Sequence, residues 1–133
     1  MSTYDTIIQE ICKDPDADMA FHNLTELDEE AIPALIRAFQ NEKDTHRKTW
    51  LLQAIAEFQK PLYAFYKECL LHSEKPIWNE SITALCMLNS VEAENLLSDV
   101  HRILQTSKIE STKREYILEA IDMIRDERTG GLD

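Results

Sequence analysis

Glycine is almost missing from this chain: only Gly130 and Gly131 occur, both within the last four of 133 residues. That excludes the glycine-rich loops that cradle phosphate and the dinucleotide fingerprint, which need backbone without a Cβ at fixed positions. Basic residues are scarce as well. Fourteen Lys and Arg face 25 Asp and Glu, a formal net charge of −11. Such a chain repels phosphate, which argues against nucleic acid and against an anionic membrane as partners. Hydrophobic residues make up 44% of the sequence, normal for a folded domain, so the acidity does not signal disorder. No apolar run approaches the ~18 residues of a membrane span. The first residues, MSTYDTIIQEICKD, have neither the basic start nor the long apolar core of a signal peptide. Cys12, Cys69 and Cys86 cannot all pair within one chain and show no CxxC spacing. The expectation is a cytoplasmic protein with reduced thiols.

Signals of chemistry are equally thin. His22, His46, His72 and His101 form no HExxH or other metal spacing, and GxSxG is absent. The run Asp14-Pro15-Asp16-Ala17-Asp18 has the acids of a calcium loop at positions 1, 3 and 5. Met19 then stands where that loop needs glycine, and Thr25 where it needs a bidentate glutamate. The run therefore reads as a solvated turn with a helix cap. No catalytic residue, metal site or cofactor is expected, and the chain is not expected to be an enzyme.

What the sequence does contain is helical periodicity. Ile32, Leu35, Ile36 and Phe39 form one apolar stripe, and Leu51, Leu52, Ile55 and Phe58 form the next. No useful segment alternates with period two, and no Asn-Gly or Asp-Gly hairpin signal occurs. The pattern predicts eight helices near 3–13, 17–26, 29–42, 45–59, 61–74, 77–89, 91–107 and 112–127. Pro15, Pro33, Pro61 and Pro76 fall where helices begin or loops turn. Asp28, Asp44 and Ser90 each precede a helical stretch as N-caps. Ser2 with Asp5, and Thr112 with Glu115, have the spacing of capping boxes. Residues 1–127 are expected to form a single domain, with 128–133 a frayed tail.

The helices repeat in pairs. First members align as Ile32, Leu35, Ile36, Phe39; Leu62, Phe65, Tyr66, Cys69; and Leu97, Val100, His101, Leu104. Second members align as Leu52, Ala54, Ile55, Phe58; Ile82, Ala84, Leu85, Leu88; and Leu118, Ala120, Ile121, Ile124. Self-similarity at about this period marks an α-solenoid, in which each pair is stabilised by stacking on its neighbours. The fold class expected is all-α, an α-solenoid of about four antiparallel helix pairs.

Residues 32–58, IPALIRAFQNEKDTHRKTWLLQAIAEF, resemble a HEAT repeat through Pro33, Leu35, Asp44, Lys48, Ala54 and Ile55. Residues 61–88 and 94–124 are weaker copies. Arg114 repeats the basic position of Lys48, but Trp78 occupies it in the middle copy. The hydrophobic residue usual just before it is Arg47, Ile77 and Lys113 in turn. These departures put in doubt the internal polar ladder of such repeats, though not the helix pairing. The resemblance implies a superhelix of helix pairs and says little about function.

Charge patterning offers the first candidate surface. Asp14, Asp16, Asp18, Glu26, Asp28, Glu29 and Glu30 lie in one 17-residue stretch without a Lys or Arg. Acids near helix starts complement the helix dipole, yet seven carboxylates together also repel one another. A basic partner would be steered to them. A second surface follows from the face opposite Ile55, where solenoids of this type line their concave side. It carries Trp50, Gln53 and Glu57, and the repeat alignment adds Glu80, Tyr116 and Glu119. Aromatic anchors among charges suit a binding hot spot. The alternative is that Trp50 and Tyr116 wedge between stacked repeats, because a solenoid helix buries more than one side. Trp78 falls on a core phase and is expected to pack. Small, acidic single-domain chains of this kind resemble bacterial immunity proteins, some families of which use HEAT-like folds. That resemblance implies a non-catalytic module that binds and neutralises a basic protein partner such as a toxin domain. The alternatives are an adaptor or scaffold, and a HEAT-like enzyme such as a bilin lyase. The chain is expected to be a monomer, with a weak dimer through its last helix as the alternative.

Overall fold

The computed structural model describes residues 3–105 and 110–128. Among them it is all-helical. The helices are α1 (Thr3–Cys12), α2 (Ala17–Thr25), α3 (Ile32–Asn41), α4 (Thr45–Glu57), α5 (Tyr63–Leu70), α6 (Lys75–Leu88), α7 (Val91–Leu104) and α8 (Ser111–Arg128). No described helix is long and apolar enough to cross a membrane. By contacts the chain divides into two compact units, Met1–Gln59 and Lys60–Asp133. In the first, α3 packs on α4, α1 on α3, and α2 on α4. In the second, α5 packs on α6 and α7 on α8, while α5 also meets α7 and α6 meets α8.

Side-chain chemistry sets the helix starts. Asp16 accepts hydrogen bonds from the Asp18 and Met19 amides, Asp44 from the Arg47 amide, and Ser90 Oγ from the Ala93 amide. Each satisfies a donor that a helix N-terminus otherwise leaves open. Three expectations need correction. Asp28 precedes a short 3-10 turn, Glu29–Ala31, rather than α3 itself, and its carboxylate makes no capping bond. It receives the Tyr4 hydroxyl instead, and burial together with the Asp28 and Glu30 charges raises the Tyr4 pKa. Thr112 lies inside α8, which begins at Ser111. Helix α5 is also shorter than the 61–74 expected. It ends at Leu70, and the chain turns through His72, whose Nδ1 accepts the Glu74 amide at 3.1 Å. Pro76 then stands in the first turn of α6, where a missing N–H costs nothing. The proposed cap Ser2 and the tail beyond Arg128 lie outside the described residues.

The apolar stripes become two cores. Leu35, Leu51, Leu52 and Ile55 are buried in the first unit; Leu70, Ile77, Leu85, Leu97 and Ile117 are buried in the second. The small residues aligned by the repeat, Ala54, Ala84 and Ala120, are all buried, as close helix contact requires. Other aligned positions differ. Ile36, Phe58, Leu62, Leu88 and His101 are only half-buried, and Leu118 is 47% exposed because Ile117 turns inward in its place.

Basic side chains close the helix C-termini. Lys48 Nζ donates to the Phe39 carbonyl at 2.6 Å and lies over the Phe39 ring. Arg114 Nη1 donates to the Gln105 carbonyl at 3.2 Å, so both reach back nine residues to the end of the preceding helix. A cation there satisfies orphan carbonyls and the negative end of the helix dipole. Trp78 cannot do this for α5. Lys113 does so from α8, donating to the Leu70 carbonyl at 2.8 Å and the His72 carbonyl at 2.9 Å. Its stem is buried, and its ammonium stands 5.6 Å from the Trp78 ring centroid. The apparent gap in the repeat is thus filled by the lysine that stands where a hydrophobic residue was expected.

Two residues other than glycine have positive φ: Asn89 at 47° and Gln59 at 52°. Asn89 ends α6, and its short amide tolerates the left-handed region. Gln59 follows α4 with no such compensation, at a cost of about 1 kcal/mol. Gln59→Gly is expected to raise stability by about 0.5–1 kcal/mol, read as a higher urea midpoint at constant slope.

Candidate functional site

The seven acids of residues 14–30 fall into two groups at the ends of α2. Asp14, Asp16 and Asp18 surround its N-terminus, and Glu26, Asp28, Glu29 and Glu30 follow its C-terminus. The nine residues of α2 between Asp16 and Glu26 separate the groups by about 15 Å, longer than the screening length at physiological salt. The first group serves α2 itself. Asp14 accepts the Asp16 amide at 2.9 Å, and Asp16 caps the helix. In the second group Glu26 pairs with His22 at 3.0 Å and Asp28 with Tyr4. Asp28, Glu29 and Glu30 are all exposed on one short turn. A docking surface would therefore centre on that turn.

The second row of candidates divides between the units. Trp50 and Gln53 are half-buried on α4 of the first unit, and Glu57 is exposed at its end. In the second unit Glu80 is half-buried on α6, while Tyr116 and Glu119 lie on α8. Tyr116 and Glu119 meet Thr83, Cys86 and Met123 along a shallow groove of about 230 Å³ between α6 and α8. Tyr116 also has a packing role. Its ring stands edge-on to the buried Trp78 at 5.5 Å, and Lys75 Nζ donates to its hydroxyl at 3.2 Å. Burial raises the Cys86 thiol pKa, with the Glu127 charge adding to it. That thiol stays protonated and is a poor nucleophile at neutral pH. Among the described residues, no cluster of three His, Cys, Asp or Glu could hold a metal ion.

A further cavity went unnoticed in the sequence. It lies in the first unit, encloses about 590 Å³, and is walled by α1, α3 and α4. Its apolar floor is Ile8 and Leu51, with Ala38 and Cys12 beside them. Asp5 grips Arg37 through both carboxylate oxygens, at 3.1 and 3.2 Å from Nη2. Arg47 Nη1 stands 3.9 Å from Glu42 Oε1, too far for a hydrogen bond. Burial and the Glu42 charge raise the Cys12 pKa, and Arg47 opposes them. The sequence separation of these residues explains the oversight: Asp5 and Arg37 are 32 positions apart, and no local pattern joins them.

Comparison with protein-family models, with curated proteins and with solved structures finds no match to this chain.

Proposed function

We propose that the chain is a non-catalytic binding protein of the cytoplasm whose acidic surface docks and neutralises a basic protein partner, in the manner of an immunity protein against a toxin. The observation that carries this reading is the exposed turn of Asp28, Glu29 and Glu30, in a unit whose 12 acids outnumber its 5 Lys and Arg. Carboxylates held on a short turn steer a cationic surface toward them and occupy the place that phosphates would take. The scaffold proposed is a HEAT-like stack of helix pairs. Support comes from the pairing of α3 with α4, α5 with α6 and α7 with α8, and from like-on-like contacts of α5 with α7 and α6 with α8.

The test begins with the partner recovered from native lysate at low salt and released at high salt, then purified for kinetics. Asp28→Lys, Glu29→Lys and Glu30→Lys together are expected to slow association about ten- to a hundredfold at low salt, with a smaller change in dissociation. An unchanged association rate would remove this turn from the interface and shift attention to Trp50 on α4 and the Tyr116 groove on α8.

A further inference from the structure

The cavity of the first unit has the chemistry of a ligand site. Its volume, about 590 Å³, lies within the range of small-molecule pockets. Ile8 and Leu51 lie beneath its floor, each only 1% exposed, so the apolar surface open to a ligand is that of Cys12, Ala38 and the stems of the rim side chains. Its rim sets three cations against the carboxylates of Asp5 and Glu42, a net charge of +1 where residues 1–59 as a whole carry −7. Lys13, Arg37 and Arg47 line it, three of the five Lys and Arg in residues 1–59.

These cations differ in what they have left to offer. Asp5 engages Arg37 through both carboxylate oxygens, which neutralises that guanidinium and holds it in place. Glu10 takes the Lys13 ammonium at 3.0 Å. Arg47 is different. Its carboxylate neighbour, Glu42, accepts the Asp44 amide at 3.2 Å and remains 3.9 Å from the guanidinium. Glu42 thus attracts Arg47 without taking up its donors, and a planar guanidinium with open donors matches a carboxylate.

We propose that this cavity binds a small amphipathic carboxylate, with its head on Arg47 and its apolar chain against Cys12 and Ala38 above the Ile8 and Leu51 side chains. The site is separate from the exposed turn proposed to dock a basic protein, and the two readings stand or fall independently. An apolar chain gains by leaving water for the floor, and the head gains charge-assisted hydrogen bonds at the rim. A cationic amphiphile would fit the floor equally well but meet the Arg47 charge.

The experiment is an amide ¹H–¹⁵N titration of the full chain with sodium decanoate below its micelle concentration. Decanol and decyltrimethylammonium serve as comparison ligands. Saturable shifts are expected at Cys12, Ala38 and Leu51 with decanoate, weaker ones with decanol, and none there with the cation. Arg47→Gln is expected to weaken decanoate binding about tenfold, the loss of one charge-assisted contact. That side chain is 49% exposed, so the substitution leaves the core untouched. Ala38→Trp, which fills the cavity, is expected to abolish the shifts. The proposal is overturned if decanoate gives no saturable shift at these amides, if the cation shifts them equally, or if Arg47→Gln binds decanoate as tightly as the native chain.

Discussion

Lys113→Ala is expected to lower the stability of the second unit by roughly 3 kcal/mol, among the largest effects of any single substitution. Lys113 is 2% exposed, and its ammonium serves the Leu70 and His72 carbonyls while lying 3.5 Å from Glu110. Alanine leaves those carbonyls without a donor at the end of α5 and opens a gap beside Trp78. Lys113→Met separates the two contributions, because it keeps the stem volume and removes only the ammonium. Methionine is expected to recover about half of the loss. Urea unfolding followed by Trp78 fluorescence in a Trp50→Phe background reads the second unit. A Met variant as stable as the native chain would show that the ammonium adds nothing beyond its stem.

Alkaline pH is expected to weaken the fold through Tyr66. Its side chain is fully buried, and burial pushes its pKa from 10.0 up to about 12. In the unfolded chain the phenol ionises near pH 10, while the folded protein holds its proton to about pH 12. The unfolded state therefore binds fewer protons in that window, and stability falls as pH rises through it. The contribution is complete below pH 10 and is lost by about pH 12, a change of up to about 3 kcal/mol. Lys113 acts in the opposite direction. Burial holds its pKa below the ordinary lysine value, so the folded state releases that proton first and gains stability with rising pH. Comparing Tyr66→Phe with the native chain isolates the phenol. The unfolding free energy of the variant minus that of the native chain is expected to rise by up to about 3 kcal/mol from pH 9 to pH 12. Parallel curves would show that Tyr66 ionises freely in the folded state.

Local chemistry made most of the helices legible. The stripe from Ile32 to Phe39 becomes the buried face of α3, and Asp44 and Ser90 cap the helices they precede. Such features depend on residues within four positions of one another, so the sequence displays them directly. Boundaries shifted where tertiary packing competed with local signals. Asp28 found Tyr4, 24 positions away, instead of a helix N-terminus, and Ile117 took the inward place expected of Leu118. The candidate sites were legible only in part. The acids of residues 14–30 read as one patch in sequence, but α2 spreads them into two groups. The row of Trp50 and Tyr116 left both aromatics open between a binding face and a wedge between repeats, and Tyr116 packs edge-on to Trp78.

An all-helical chain, its acidic character and the buried stripes of α3 and α4 were legible from local sequence. These follow from the helical period of apolar residues and from the count of charges, neither of which requires a distant partner. Only the tertiary structure decided the role of Lys113, which the repeat alignment sets where a hydrophobic residue is usual and whose ammonium reaches the Leu70 and His72 carbonyls. The same holds for the cavity of α1, α3 and α4, where Asp5 meets Arg37 and Arg47 stands near Glu42 without a hydrogen bond. Burial and ion pairing depend on what folding brings together from distant positions, and a buried lysine or an open guanidinium exists only once those neighbours are in place.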